Sequence, residues 1–272
     1  MSAFTSRLGK ILVLGGGNMG GAMVRGWVEY GIPGEDIFVV DPSPGAALKD
    51  LIAEGALRHA TSVPAEPFDV VLVAVKPQTM AEALPLLQPA LKPDTLVISV
   101  AAGKTLGFIA GLVGDLPIVR AMPNTPALIG RGITGAVPNA AVTQPLKEKA
   151  DALLSASGPV VWLDQESDID AVTAVSGSGP AYVFHLAETL AAAGVAAGLS
   201  PELAMKLARH TVAGAGELMI RSDDAPEQLR KNVTSPNGTT QAALEVLMPG
   251  LGPLMVDAVA AARDRARELS QD

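Results

Sequence analysis

The chain has 272 residues, of which 49% are hydrophobic and only 3% aromatic, and its formal net charge is −8. That length holds one large domain or two small ones, with cores filled by Ala, Val and Leu, and the hydrophobic content excludes a disordered chain. The negative charge argues against nucleic acid or an acidic membrane surface as partner, and the lack of cysteine removes disulfides, thiol nucleophiles and zinc–thiolate sites.

No signal peptide is expected, because the apolar run at Ile11 is short and ends in glycines. The longest unbroken apolar stretch, Thr189 to Leu199, is too short to span a bilayer. A soluble, cytoplasmic protein is the expectation, with no membrane contact.

Ile11-Leu12-Val13-Leu14 reads as a strand that breaks into Gly15, Gly17 and Gly20 with G-x-G-x-x-G spacing. In such a turn the first glycine lets the strand reverse sharply and the second lets backbone approach a pyrophosphate. The third lets the new helix pack closely on the strand, with its free N–H groups facing the anion. The helix is expected from about Met19 to Tyr30, stopping at Gly31, a residue suited to a left-handed position. A second strand, Ile37 to Val40, ends at Asp41, about twenty residues on, where an acidic side chain meets a ribose hydroxyl in dinucleotide-binding folds. A glycine-rich turn with no ligand is the bland alternative.

Pro42 and Pro44 set up a helix closing near Gly55, and Val70 to Val75 is a continuous apolar run, as in a strand covered on both faces. Further strands are expected at Thr95–Val100, Ile118–Met122 and Val160–Leu163, with helices between them. This alternation implies an α/β fold, a doubly wound parallel sheet. After Leu163 the pattern becomes helical, with starts at Pro180, Ser200-Pro201 and Pro226. The boundary is placed near Asp164, giving residues 1–163 as a nucleotide-binding domain and 164–272 as an all-helical domain. Small residues in the helical part (Ala187, Ala191, Gly194, Ala197, Gly198; Ala213, Gly214, Gly216) serve either an internal core or a subunit interface. Self-association is favoured, because a helical domain of this size buries little alone.

Val73-Ala74-Val75-Lys76-Pro77 ends a strand at the carboxyl edge, where doubly wound folds bind ligands, and Lys76 there can neutralise a phosphate. Arg120-Ala-Met-Pro-Asn-Thr-Pro126 follows another strand, and its prolines stiffen a loop offering Asn124 and Thr125. Ser178 is expected to cap the helix that begins near Pro180. Val233-Thr-Ser-Pro-Asn-Gly-Thr-Thr240 carries several hydroxyls ahead of a helix, more than a cap needs, and suits a small carboxylate. Asp164, Glu166, Asp168 and Asp170 resemble the start of a calcium loop, but Ile169 and Val175 stand where glycine and glutamate are needed, so a solvated acidic linker is read there. His59, His185 and His210 show no metal spacing, no metal site is expected, and no serine-hydrolase or phosphate-loop motif occurs.

Taken together, GGGNMGGAM, AVKPQ, RAMPNTPALIGRG, SGSGPAY and NVTSPNGTT resemble, in order and spacing, the pyrroline-5-carboxylate reductases of proline biosynthesis, over essentially the whole chain. The resemblance implies an N-terminal Rossmann domain binding NAD(P)H and a C-terminal helical domain that forms an interlocked dimer, often assembled further. It implies cofactor contacts at Gly17, Asn18, Met19, Ala74, Lys76 and Pro77, beside Gly15, Gly20, Asp41 and Asn124 read from the motifs. It also implies that Ser235, Gly238, Thr239 and Thr240 hold the carboxylate of 1-pyrroline-5-carboxylate across the dimer, with L-proline as product.

Two departures stand out. Asn237 replaces a glycine common in the family, and asparagine tolerates the same left-handed turn. Asp41 suits a free ribose 2′-OH and repels a 2′-phosphate, with no arginine in Pro42-Ser43-Pro44, so NADH use is expected alongside NADPH. A protonated imine is already electrophilic, so the protein mainly has to align reactants. Thr240 is the candidate to hydrogen-bond the ring nitrogen or relay a proton. The rivals are another imine reductase or a β-hydroxyacid reductase of the same plan, the latter disfavoured by the absence of lysine between Pro180 and Ala197, and a non-catalytic NAD(P)-binding regulator, disfavoured by the intact hydroxyls at Ser235, Thr239 and Thr240.

Overall fold

The computed structural model describes residues 8–271. An eight-stranded sheet has the order β3-β2-β1-β4-β5-β6-β7-β8. The strands are β1 (Ile11–Leu14), β2 (Ile37–Val40), β3 (Arg58–Ala60), β4 (Val70–Val73), β5 (Leu96–Ser99), β6 (Ile118–Met122), β7 (Thr134–Pro138) and β8 (Val160–Trp162). All neighbours pair in parallel except β6 and β7. Every residue of β1, β2, β4 and β5 is buried, as unbroken apolar runs demand of strands covered on both faces.

Helices α1 (Asn18–Glu29), α2 (Ala46–Ala53), α3 (Met80–Ala83), α4 (Leu106–Val113) and α5 (Gln144–Ser155) connect the strands. Alternate strand residues supply the two cores. Ile11, Val13, Ile37, Val39 and Leu72 join Met23, Trp27 and Leu153 on one side, and Leu12, Leu14, Val71 and Val73 join Met80, Leu84 and Ile109 on the other. The buried Trp27 indole N–H donates to Leu153 O at 2.7 Å, which fixes α1 against α5. Gly31, the left-handed stop read from the sequence, and Gly55, near which the next helix is expected to close, follow α1 and α2 with φ of +91° and +67°.

Strands β3 and β7 lie outside the expected set. β3 is three residues at the sheet edge with no apolar run. β7 contains Gly135 and ends in Pro138, residues that argue against a strand. Gly135 is needed there because a Cβ would stand 2.7 Å from a Val172 methyl. β7 makes the sheet mixed at this side, while the rest keeps the parallel, doubly wound plan.

By packing, one unit runs to Gly177 and regains the chain from Ala262, and the other is Ser178–Ala261. This division falls later than the expected boundary near Asp164. α6 (Asp168–Val172) and the π-helical turn at Thr173–Gly177 pack on the sheet, Val172 at Gly135 and Gly177 at Met122. The change from alternating strands to helices after Leu163, which set the earlier boundary, does not register such packing.

The second unit holds α7 (Gly179–Ala196), α8 (Pro201–Arg221), α9 (Pro226–Asn232) and most of α10 (Thr239–Gln271). Ser200 caps α8, its hydroxyl accepting from Leu203 N at 3.3 Å. Ser178 occupies the corresponding place before α7, yet its side chain makes no cap bond and its backbone is already helical. Part of the small-residue stripe serves internal packing, since a Cβ on Gly194 would stand 3.2 Å from the Ala204 Cβ, while Gly214 and Gly216 face open space. Many large apolar side chains of this unit are exposed, including Phe184 at 66% and Val246 at 78%. α10 is long and apolar enough, by length and composition, to cross a membrane. The sequence reading counts unbroken apolar residues and so passes over this helix, which is interrupted by polar and charged residues and continues through Pro249 and Pro253.

Candidate functional site

The sheet register brings the ends of four strands into one row. Leu14 pairs with Val40 and with Val73, and Val73 pairs with Ser99. The ladder continues one residue further through Gly15 N to Val40 O, Ala74 N to Leu14 O and Val100 N to Val73 O. The loops that follow therefore leave from a single carboxyl edge, the place where open α/β sheets bind ligands.

The three motif glycines there have three different surroundings. Gly15 has φ of +104°, and a Cβ on it would stand 2.7 Å from the Ala74 backbone. Gly20 sits so close to Gly15 O that a Cβ would be 2.1 Å away, which is how α1 lies down on β1. Gly17 has nothing within 4 Å of a would-be Cβ, so the space above it is open. α1 starts after Gly17 with no side-chain cap and no acidic residue in its first turn. Open backbone at an uncapped helix N-terminus, beside Asn18 and Met19, leaves N–H groups that can receive an anion.

Asp41 stands next to this turn. Its Oδ2 accepts from Gly16 N at 2.6 Å and its Oδ1 from Ser43 N at 2.7 Å, so the carboxylate is held in one orientation. The imidazole Nε2 of His59 lies 2.8 Å from Asp41 O. Among the described residues Asp41 forms no ion pair with a lysine or arginine, and Arg25 instead donates to Ala47 O. Lys76 is exposed after β4, followed by a short turn that starts at Pro77.

Asn124 is committed within the chain on both sides of its amide. Its Nδ2 donates to Ser176 O at 3.2 Å and its Oδ1 accepts from Ile133 N at 3.0 Å, so it ties the loop after β6 to the π-helical turn. One amide N–H is left for a ligand. The Arg120 side chain, 5% exposed, meets Glu166 at 2.7 Å. Glu166 belongs to the stretch read as a solvated linker. Only its reach across the fold reveals a structural task, which acidic composition could not signal.

In the second unit, the segment after α9 is a turn with defined free groups. Asn237 has φ of +58°, the one non-glycine residue among those described in that region. Gly238 N donates to Ser235 O at 3.0 Å, and the Gln241 side chain reaches back to accept from Asn237 N at 2.8 Å. This is a capping contact that the sequence analysis missed, although glutamine in the first helical turn is its signal. Thr234 spends its hydroxyl on Arg230 O. Among the described residues the hydroxyls of Ser235, Thr239 and Thr240 make no hydrogen bond, which leaves three of them, and the first turn of α10, free.

A cavity of about 800 Å³ lies elsewhere. Leu8, Tyr30, Ile32, Lys147 and Trp162 line it at the amino edge of the sheet, and none of the residues above belongs to it.

A parallel sheet with this glycine turn and this acid, followed by a helical unit, defines a two-part NAD(P)-dependent oxidoreductase. Residues 10–103 match the family described as NADP oxidoreductase, coenzyme F420-dependent, and residues 166–269 match pyrroline-5-carboxylate reductase dimerisation. The pyrroline-5-carboxylate reductase of Pseudomonas aeruginosa is 42% identical over 267 residues, covering 96% of this chain and 97% of that one. That of Escherichia coli is 38% identical over 270 residues, covering 96% and 98%. Among solved structures, a pyrroline-5-carboxylate reductase from Coxiella burnetii superposes with a TM-score of 0.89 at 36% identity, covering 97% and 99%. The Plasmodium falciparum pyrroline carboxylate reductase with NADP bound gives 0.81 at 32% identity, covering 96% and 98%. The chain belongs to the pyrroline-5-carboxylate reductase family.

Proposed function

We infer that this chain reduces the C=N bond of 1-pyrroline-5-carboxylate with a hydride from NAD(P)H, giving L-proline, and that its site residues divide between two ligands. The observation that carries the reading is a likeness to reductases of this name over nearly the full length of both chains. In the first unit, Gly15, Gly17, Asn18, Met19 and Gly20 form the pyrophosphate cradle, and Ala74, Lys76, Pro77 and Asn124 border the rest of the cofactor. In the second unit, Ser235, Gly238, Thr239 and Thr240 hold the substrate carboxylate.

Bound NAD(P)H supplies the hydride. The chain's own task is to bind and orient. Free hydroxyls at Ser235 and Thr239 and the open N–H groups of α10 suit a carboxylate. The Thr240 hydroxyl hydrogen-bonds the ring nitrogen, or passes a proton to it through water, as the carbon accepts hydride.

NADH is accepted at least as well as NADPH, because Asp41 is oriented by two backbone N–H groups and has no cation to offset a 2′-phosphate. The exposed apolar faces of α8 and α10 support self-association through the helical unit. That favours a homodimer in the cytoplasm over a membrane-bound protein, and the net charge of −8 disfavours nucleic acid. A steady-state assay with pyrroline-5-carboxylate and each reduced nicotinamide tests the activity, and sedimentation at micromolar concentration tests the assembly. No turnover with either cofactor sinks the first reading, and a monomer sinks the second.

A further inference from the structure

The loop between β5 and α4, residues 100–105, leaves the carboxyl edge beyond β4. In a doubly wound sheet the first βα turn and the acidic end of β2 serve the adenosine and pyrophosphate, so loops after β4 and β5 face the nicotinamide half. Three contacts hold this loop. Thr105 caps α4, its hydroxyl accepting from Phe108 N at 3.1 Å. Glu166 Oε1 accepts from Leu106 N at 2.7 Å while paired with the buried Arg120. On its other side the loop rests on the end of α10. Gly103 has φ of +74°, and a Cβ there would stand 3.1 Å from Leu269 O and 3.3 Å from Leu269 Cβ.

That end of α10 is itself anchored. Ala266 is the one buried residue of α10 among those described, and Arg267 Nε lies 4.0 Å from Asp170 Oδ2, a carboxylate only 12% exposed. A helix exposed over most of its length is thus seated at its last turns, next to a glycine whose missing side chain permits the approach.

We infer that the last turns of α10, through Leu269 on Gly103 and Arg267 on Asp170, position the β5–α4 loop for the nicotinamide half of the cofactor. The helix that begins with the candidate substrate threonines then ends as part of the cofactor site of its own chain. Leu269 and Arg267 are positioning residues that act through the loop. This inference rests on the dinucleotide reading above and goes beyond it, since none of the motifs points to residues 262–271.

The test is equilibrium binding to the full-length chain, read by fluorescence with NADH and by calorimetry with ADP, which carries only the adenosine and pyrophosphate. In Arg267→Ala/Leu269→Gly the loop loses its support, and the NADH Kd should rise about three- to tenfold, as expected when a preorganised contact must be ordered on binding. The ADP Kd should stay at the wild-type value. Leu269→Ala keeps the Cβ and carbonyl that lie beside Gly103 and should bind NADH like wild type. Gly103→Ala pushes the loop off the helix and should weaken NADH, again sparing ADP. If NADH and ADP weaken together, the turns merely stabilise the domain, and if neither changes, the loop is held without them; either result overturns the inference. A wild-type protein that binds neither NADH nor NADPH refutes the dinucleotide reading instead, before any variant is compared.

Discussion

The Arg120 guanidinium meets the Glu166 carboxylate at 2.7 Å across 46 residues of sequence, and the same carboxylate oxygen accepts the Leu106 N–H. One acid thus joins β6, the start of α4 and the segment entering α6. Glu166→Ala leaves a guanidinium 5% exposed without its partner. The expected cost is roughly 3–5 kcal/mol, toward the lower end because Glu166 itself is partly solvated. Glu166→Gln keeps an acceptor for both donors and should lose less. Urea unfolding of the two variants checks the order, and equal losses would mean that charge, rather than hydrogen bonding, is what Glu166 contributes.

Asp41→Ser removes a carboxylate whose two oxygens accept Gly16 N and Ser43 N. The expected result is a shift of the kcat/KM ratio toward NADPH, because like-charge repulsion with a 2′-phosphate disappears. Part of the NADH efficiency should fall as well, since the ribose partner and the Gly16 contact are lost together. A wild type already selective for NADPH, with a ratio unmoved in the variant, would mean that Asp41 serves the turn alone.

Much of this fold is legible in the sequence for local reasons. Ile11–Leu14 followed by Gly15, Gly17 and Gly20 admits few structures: Gly15 and Gly20 meet the steric demands read from their spacing, and the space over Gly17 is open. Asn237 likewise takes the left-handed turn expected of it. What escapes is set by tertiary contact. Gly135 and Pro138 hide β7, which forms because β6 supplies a partner and Val172 fills the space above the glycine. Gln241 and Asn124 look like ordinary polar residues until the chain folds and their amides find backbone groups.

At the amino edge, Asp69 Oδ1 accepts from Lys92 Nζ at 2.6 Å and its Oδ2 from Lys10 N at 2.7 Å. Burial alone pushes the Asp69 carboxyl up, but the Lys92 bond, the Lys10 N–H and the lysine charges outweigh it, so its pKa lies below the ordinary 3.8. The Lys92 ammonium, bonded to Asp69, lies above the ordinary 10.5 against a smaller effect of burial. A lowered acid stabilises above its unfolded pKa and loses that contribution as pH falls through its folded value. A raised base stabilises below its unfolded pKa and loses that contribution as pH rises through its folded value. The pair therefore contributes across the neutral range and fades at both extremes. Thermal melts should show Lys92→Met less stable than wild type near pH 7, with the gap closing below the acid limb and above the basic one. A gap that stays constant with pH would assign the loss to packing of the lysine stem.

Ser235 and Thr240 flank a turn whose backbone is closed by Gly238 N to Ser235 O and by Gln241 onto Asn237 N, which leaves both hydroxyls free. Because the turn is braced by other groups, removing either hydroxyl should leave it intact. Ser235→Ala should raise KM for pyrroline-5-carboxylate about ten- to a hundredfold, the size of one hydrogen bond to a charged group, with kcat little changed, since the carboxylate is held in ground and transition state alike. Thr240→Ala should lower kcat too, because the charge on the ring nitrogen changes during hydride transfer and the hydroxyl answers that change. Gln241→Ala would open the brace, so it should raise KM while sparing the chemistry at the nitrogen. In all three variants NADH affinity, titrated by fluorescence, should hold at the wild-type value. Loss of cofactor binding with an unchanged KM for the imino acid would move this turn from the substrate to the nucleotide.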